Sequence, residues 1–288
     1  MSPFTTLVSV DQLAENLKAP SSNRWVIIDC RFSLADTSQG ETHFQISRIP
    51  GAQYAHLDHH LSSAIIPSVT GRHPLPNVDE IEAQFKRWGI NNDTQIVAYD
   101  DKLGAQASRL WWLSRWLGHD ACAVLDGGFA AWKQAGASLE TSSPTKRDAG
   151  QFKKSKSLFS VIEKHKVLDA NVCLLDAREV ERYRGEHEPI DPVAGHIPGA
   201  LNGPFIENVD TAGKFKSVTE LQQRFDSILA DKNDKQLVHY CGSGVTAAHN
   251  MLAMAYAQRD PGALYAGSFS EWVSQPNDDQ FPVARLVD

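Results

Sequence analysis

The 288-residue chain sets 28 Lys and Arg against 35 Asp and Glu, a formal charge of −7 with neutral His, so no overall basic field favours nucleic acid or an anionic membrane. Its 42% hydrophobic and 22% charged residues are those of a globular protein with length for about two domains and for a core without disulfide staples. No run approaches the ~20 apolar residues of a membrane helix.

Residues 1–11 lack a basic segment followed by an apolar run, so no signal peptide is expected. The cysteines, Cys30, Cys122, Cys173 and Cys241, form neither a C-x-x-C pair nor a zinc spacing. The expected setting is a reducing cytoplasm with free thiols. A monomer or weak dimer is expected, with no metal, cofactor, nucleic-acid or membrane partner.

In chain order, residues 25–29 read as a buried strand and 78–88 as a helix with Ile81, Phe85 and Trp88 on one face. Residues 95–99 read as a strand, 108–117 as a Trp/Leu-rich helix and 123–125 as a strand. Residues 141–157, TSSPTKRDAGQFKKSKS, are rich in Ser and Lys with hardly any apolar anchor, a linker composition. Then come strand 172–176, helix 218–229, strand 237–240, an Ala/Met-rich helix at 246–257 and strand 263–265. This alternation predicts an α/β fold, with a mainly parallel sheet and helices on both faces.

The order of motifs also repeats. VIIDCR at 26–31 returns as VCLLDAR at 172–178, and RIPGA at 48–52 as HIPGA at 196–200. QIVAYD at 95–100 returns as QLVHYC at 236–241, and GGFAAW at 127–132 as AGSFSEW at 266–272. The offsets stay between 140 and 148 residues, far longer than solenoid periods. Two copies of one domain follow: residues 1–140, a linker at 141–157, and residues 158–288.

The second copy carries the reactive candidate. After the strand ending at Tyr240 comes Cys241-Gly242-Ser243-Gly244-Val245-Thr246, a tight loop leading into a helix. Such a loop aims successive backbone N–H groups inward and adds the positive end of the helix dipole, so an anion at its centre, a thiolate included, is stabilised. Gly242 and Gly244 permit unusual backbone angles, Thr246 is expected to cap the helix, and the Ser243 hydroxyl can donate into the pocket. Cys30, Cys122 and Cys173 lack such a loop and read as inert buried thiols. The first copy has Asp100 where Cys241 stands, so it has the strand without the nucleophile.

Other features read as structural. His56-Leu57-Asp58-His59-His60 has the look of a metal cluster but reads as a solvated turn. Trp111, Trp112 and Trp116 read as helix packing. His239 is expected to alternate out of its strand beside Tyr240. No G-x-G-x-x-G occurs, and Gly127-Gly128 is too short for a dinucleotide fingerprint.

The Cys-Gly-Ser-Gly-Val-Thr-Ala loop in the second of two related halves resembles the two-domain rhodanese family of sulfurtransferases, over essentially the whole chain. Asp176-Ala177-Arg178, His196-Ile197-Pro198-Gly199-Ala200 and Asp126-Gly127-Gly128-Phe129 are part of the likeness. It implies a tandem of rhodanese-like domains, with catalysis in the second. Cys241 is then expected to carry a sulfane sulfur as a persulfide. The donor is a small anion, thiosulfate or 3-mercaptopyruvate, and the acceptor is cyanide or a thiol such as that of a thioredoxin-like protein. Thiosulfate-using members typically have basic residues after the cysteine, so the neutral Gly242-Ser243-Gly244 favours 3-mercaptopyruvate.

The resemblance further implies a substrate-binding Arg182, which can grip a carboxylate bidentately; the loop residues Gly242, Gly244, Val245 and Thr246, together with Arg72, are expected to line the donor site. Asp58 and His73 match a relay to the loop serine, here Ser243. One departure stands out: the family's second arginine, nine positions after Arg182, is here Asp191, leaving Arg72 and Arg184 as candidates to compensate. A cysteine phosphatase or arsenate reductase needs Cys-x5-Arg, and Ala247 stands at that arginine's place. A non-catalytic sulfur carrier would use the same loop.

Overall fold

The computed structural model describes residues 2–19, 24–230, 232, 234–275 and 279–286. It divides into two compact units. The first is Met1–Ser62, Pro76–Leu158 and Thr211–Phe215; the second is Ser63–Leu75, Phe159–Asp210 and Lys216–Asp288. The second unit therefore includes a segment drawn from the first half of the sequence.

In the first unit, β1 (Leu7–Val8), β2 (Trp25–Asp29), β3 (Gln53–Tyr54), β4 (Gln95–Tyr99) and β5 (Cys122–Leu125) form a sheet of order β1-β5-β4-β2-β3. The second unit repeats that order as β6-β10-β9-β7-β8, from β6 (Ser160–Val161), β7 (Val172–Asp176), β8 (Leu201–Asn202), β9 (Gln236–Tyr240) and β10 (Ala263–Leu264). Every pairing in both sheets is parallel. Because parallel sheets are covered on both faces, all five residues of β4 are buried. For the same reason His239 does not escape from β9: it is 0% exposed, as is Tyr240.

The two units share side-chain detail that the repeated motifs encode. Asp29 pairs with Arg31 and Asp176 with Arg178, each at 2.6 Å between buried groups. The tyrosines ending the central strands receive a backbone N–H from the Ile-Pro-Gly turns, Ile49 to Tyr99 at 3.3 Å and Ile197 to Tyr240 at 3.2 Å. Arg31 lies over Phe129 at 4.3 Å and Arg178 over Phe269 at 4.0 Å. Cation–π contact and ion pairing thus tie the same three elements in both copies.

Three further stretches differ in detail from the sequence-based expectation. The helix expected at 108–117 runs Ala105–Trp116, because Gly104 adopts a left-handed φ of 86° and Asp100 accepts the N–H groups of Lys102, Gly104 and Ala107, winding the chain early. The linker-like stretch is docked on the first unit. Phe152 is 1% exposed against Phe85, and backbone bonds run from Gly150 to Lys86, Phe152 to Ile90 and Ser155 to Leu117. The solvated turn at 56–60 is a helical turn, Leu57–His60, whose cap His56 is buried, accepts the Asp58 N–H and stacks on His59. The indoles of Trp111 and Trp112 are buried as expected, with Trp112 stacked on Trp116.

Candidate active site

Strand β9 delivers Cys241 to the C-terminal edge of the second sheet, where parallel α/β sheets place their ligands. Cys241 is 2% exposed, and the Gly244 N–H points at its Sγ from 3.1 Å. That bond needs Gly244 at φ +77°, with the Ala266 carbonyl so close that an added Cβ would lie 2.4 Å from it. Glycine is therefore required for both reasons. Helix Thr246–Tyr256 follows directly. Thr246 does not cap it: Val245 is the cap residue, in a helical conformation (φ −95°, ψ −63°) with no side-chain bond. The loop flows into the first turn without the extended residue that a hydroxyl cap requires.

A residue that the sequence reading missed fixes the backbone of Cys241. Ser268 has φ 54°, costly for a residue with a Cβ, and its equivalent in the first unit is Gly128 at φ 57°. Its Oγ accepts the Cys241 N–H at 3.2 Å and donates to the Tyr265 carbonyl at 2.9 Å. The exchange of Gly for Ser between the repeats was the available signal.

The segment Ser63–Leu75 closes the site. Gly71 lies against the Gly267 carbonyl, the Arg72 N–H donates to Ser270 Oγ at 2.9 Å, and Ser270 N–H donates to the Gly242 carbonyl at 2.9 Å. His73 is 5% exposed, and its Nδ1 lies 2.7 Å from Ser243 Oγ. His73 and Ser243 are thus brought together. Asp58, the third member of the expected relay, belongs to the first unit, on the Leu57–His60 turn.

Arg182 projects from helix Val180–Arg184. Its Nε and Nη2 bond Glu188, and Nη2 also reaches Asp191 Oδ2 at 3.0 Å. The other Asp191 oxygen bonds Arg72 Nη1 at 2.5 Å. Both guanidinium groups face the loop: a Cβ on Gly242 would stand 3.0 Å from Arg72 Nη2 and 3.6 Å from Arg182 Nη1. Arg184 instead faces outward, half-exposed beside Glu186. Burial acts to raise the Glu188 carboxyl, but the Arg182 hydrogen bonds and the Asp191 and Ile190 N–H groups outweigh it and hold it below the usual range.

The remaining thiols lie outside this loop. Cys30, Cys122 and Cys173 sit in or beside strands, and burial pushes all three up, Cys122 to about 12. A thiol so placed is a poor nucleophile. In the first unit the place of Cys241 is filled by Asp100, a buried carboxylate that takes up the local N–H groups itself.

A small anion could enter beside Cys241 and meet N–H groups, a hydroxyl and two guanidinium groups, with a histidine able to move a proton through the hydroxyl. The sequence profile described as "Rhodanese-like domain" matches residues 9–135 and 160–275. The chain is 44% identical over 274 residues to the "Probable 3-mercaptopyruvate sulfurtransferase" of Pseudomonas aeruginosa, covering 94% of this chain and 95% of that one. It is 32% identical over 287 residues to the "Thiosulfate sulfurtransferase" of Gallus gallus, covering 97% of each. The crystal structure of SseA from Escherichia coli, described under 3-mercaptopyruvate sulfotransferases, superposes with a TM-score of 0.77 at 30% identity, over 93% of this chain and all of that one.

Proposed function

We propose, from the premise that this chain belongs to the family of rhodanese-like domains, that it works as a sulfurtransferase through a persulfide on Cys241, with 3-mercaptopyruvate as the preferred donor. The chain is a sulfurtransferase of two rhodanese-like domains. The observation that carries the assignment of chemistry to Cys241 is the 3.1 Å approach of the Gly244 N–H to its sulfur. The same N–H group can stabilise the thiolate before transfer and the persulfide after it.

The Cys241 thiolate attacks the sulfur of mercaptopyruvate, and an S–S bond forms as the C–S bond breaks. The carbon fragment leaves as an enolate, takes the proton released from the donor thiol, and departs as pyruvate. A thiol or cyanide then removes the outer sulfur and returns the thiolate, a two-stage covalent cycle. With thiosulfate the leaving group is sulfite, which takes no proton. The His73–Ser243 pair at 2.7 Å is a proton-handling device, and that favours the donor whose reaction moves a proton. Arg182 is the carboxylate anchor.

Among the described residues no helix is long and apolar enough to cross a membrane, and the four cysteines are free. A cytoplasmic setting and a thiol acceptor belong to the same proposal. Steady-state assays with the two donors test it: higher kcat/KM with 3-mercaptopyruvate supports the donor assignment, and higher kcat/KM with thiosulfate reverses it.

A further inference from the structure

We propose that Asp191 is a specificity-determining strut: it fixes Arg72 and Arg182 as a two-pronged clamp beside Cys241 and gives that clamp the charge for one carboxylate rather than for a dianion. The inference rests on the sulfurtransfer reading above and adds a residue whose acidic character argues, by sequence alone, against donor binding.

The geometry divides each guanidinium into a held end and a presented end. Asp191 holds Arg72 by Nη1, and Asp191 with Glu188 hold Arg182 by Nη2 and Nε. Arg72 Nη2 and Arg182 Nη1 have no protein partner among the described residues, and both lie close to where a side chain on Gly242 would start. Asp191 and Glu188 are almost wholly buried, at 1% and 3% side-chain exposure, while Arg72 and Arg182 keep 21% and 12%. The carboxylates are therefore structural members, and the arginines are the accessible ones. Arg72 also supplies, from a segment distant in sequence, a cation beside the residue that follows Cys241. Gly242 leaves it the room.

Charge then decides between donors. Arg72, Arg182 and Arg178, which also bonds Glu188 at 3.3 Å, stand against Asp191, Glu188 and Asp176, so the cluster is neutral overall and a monocarboxylate brings one charge to it. A dianion adds a second that the buried Asp191 repels across a short, weakly screened distance. Replacing Asp191 by its uncharged isostere leaves the cluster one positive charge richer, which favours the dianion more than the monoanion.

The test uses the full chain. Donor kcat/KM is measured for thiosulfate and for 3-mercaptopyruvate in wild type, Asp191→Asn and Arg72→Gln. In Asp191→Asn the ratio of thiosulfate to mercaptopyruvate kcat/KM rises about tenfold, carried mainly by KM. In Arg72→Gln, which removes a positive charge, the ratio moves the opposite way. A ratio within about twofold of wild type in Asp191→Asn, or ratios that move the same way in both variants, overturns the proposal. Should Asp191→Asn fail to fold, the Arg72→Gln ratio alone decides: a fall supports the proposal, and no change or a rise overturns it. A separate control addresses the underlying reading: wild type must lose turnover on Cys241→Ser. If it does not, the sulfurtransfer chemistry at this cysteine falls, whatever the ratios do.

Discussion

His73 Nδ1 and Ser243 Oγ lie 2.7 Å apart, although 170 residues separate them in sequence. The pair joins a loop of the first half to the nucleophile loop of the second, inside one compact unit. His73→Gln should lower kcat/KM for 3-mercaptopyruvate about 100-fold, the usual worth of a positioned proton-transfer group. Thiosulfate turnover, which needs no proton for its leaving group, should stay within about threefold. Parallel steady-state assays check this, and equal losses with both donors would assign His73 a packing role.

Gly244→Ala should abolish turnover while most of the fold survives. The new Cβ meets the Ala266 carbonyl at 2.4 Å and sits at φ +77°, so the loop must shift and the N–H to Cys241 is withdrawn. A cost of about 1–3 kcal/mol in stability is expected from the strain. Stopped-flow persulfide formation and a denaturant midpoint separate the two effects.

Phe152→Ala should destabilise the first unit by about 3–5 kcal/mol, the range for deleting a buried aromatic ring. Phe152 is 1% exposed and packs on Phe85 at 5.1 Å. Urea unfolding of the full chain reads the loss, and a change below about 1 kcal/mol would mean the stretch is only a tether.

His239 gives a pH prediction. Burial lowers it from 6.5 to about 3, so between those values the unfolded chain binds a proton that the folded chain refuses. Stability is therefore complete above about pH 6.5 and falls with pH down to about 3, at up to about 1.4 kcal/mol per pH unit. His239→Leu should flatten that slope in urea unfolding measured from pH 7 to pH 4. An unchanged slope would show that other groups carry the acid sensitivity.

The sequence revealed most of the scaffold because its signals are local. Strands β2, β4 and β7 run where their apolar runs do, since a doubly covered parallel strand is continuously apolar. The duplicated Asp-x-Arg and Ile-Pro-Gly pieces gave the two units. Cys241 stood out because strand, glycines and helix start are contiguous. The clamp was only half legible: Arg72 and Asp191 are 119 residues apart, and no periodicity relates them. Asp191 read as a lost arginine because sequence gives charge without direction. Its two oxygens each bond a guanidinium group. Ser268 escaped notice for a similar reason, since a left-handed φ is a property of the folded loop. Phe152, one aromatic in a polar stretch, showed too little pattern to mark it as an anchor.

Cys241 is the proposed carrier of the transferred sulfur. Intact-mass analysis of the purified chain after exposure to 3-mercaptopyruvate without acceptor tests it most directly. An adduct of one sulfur atom, about 32 Da, is expected on wild type, absent in Cys241→Ser and removed by cyanide. An adduct of equal yield in Cys241→Ser, or none on wild type under conditions of full turnover, would contradict it.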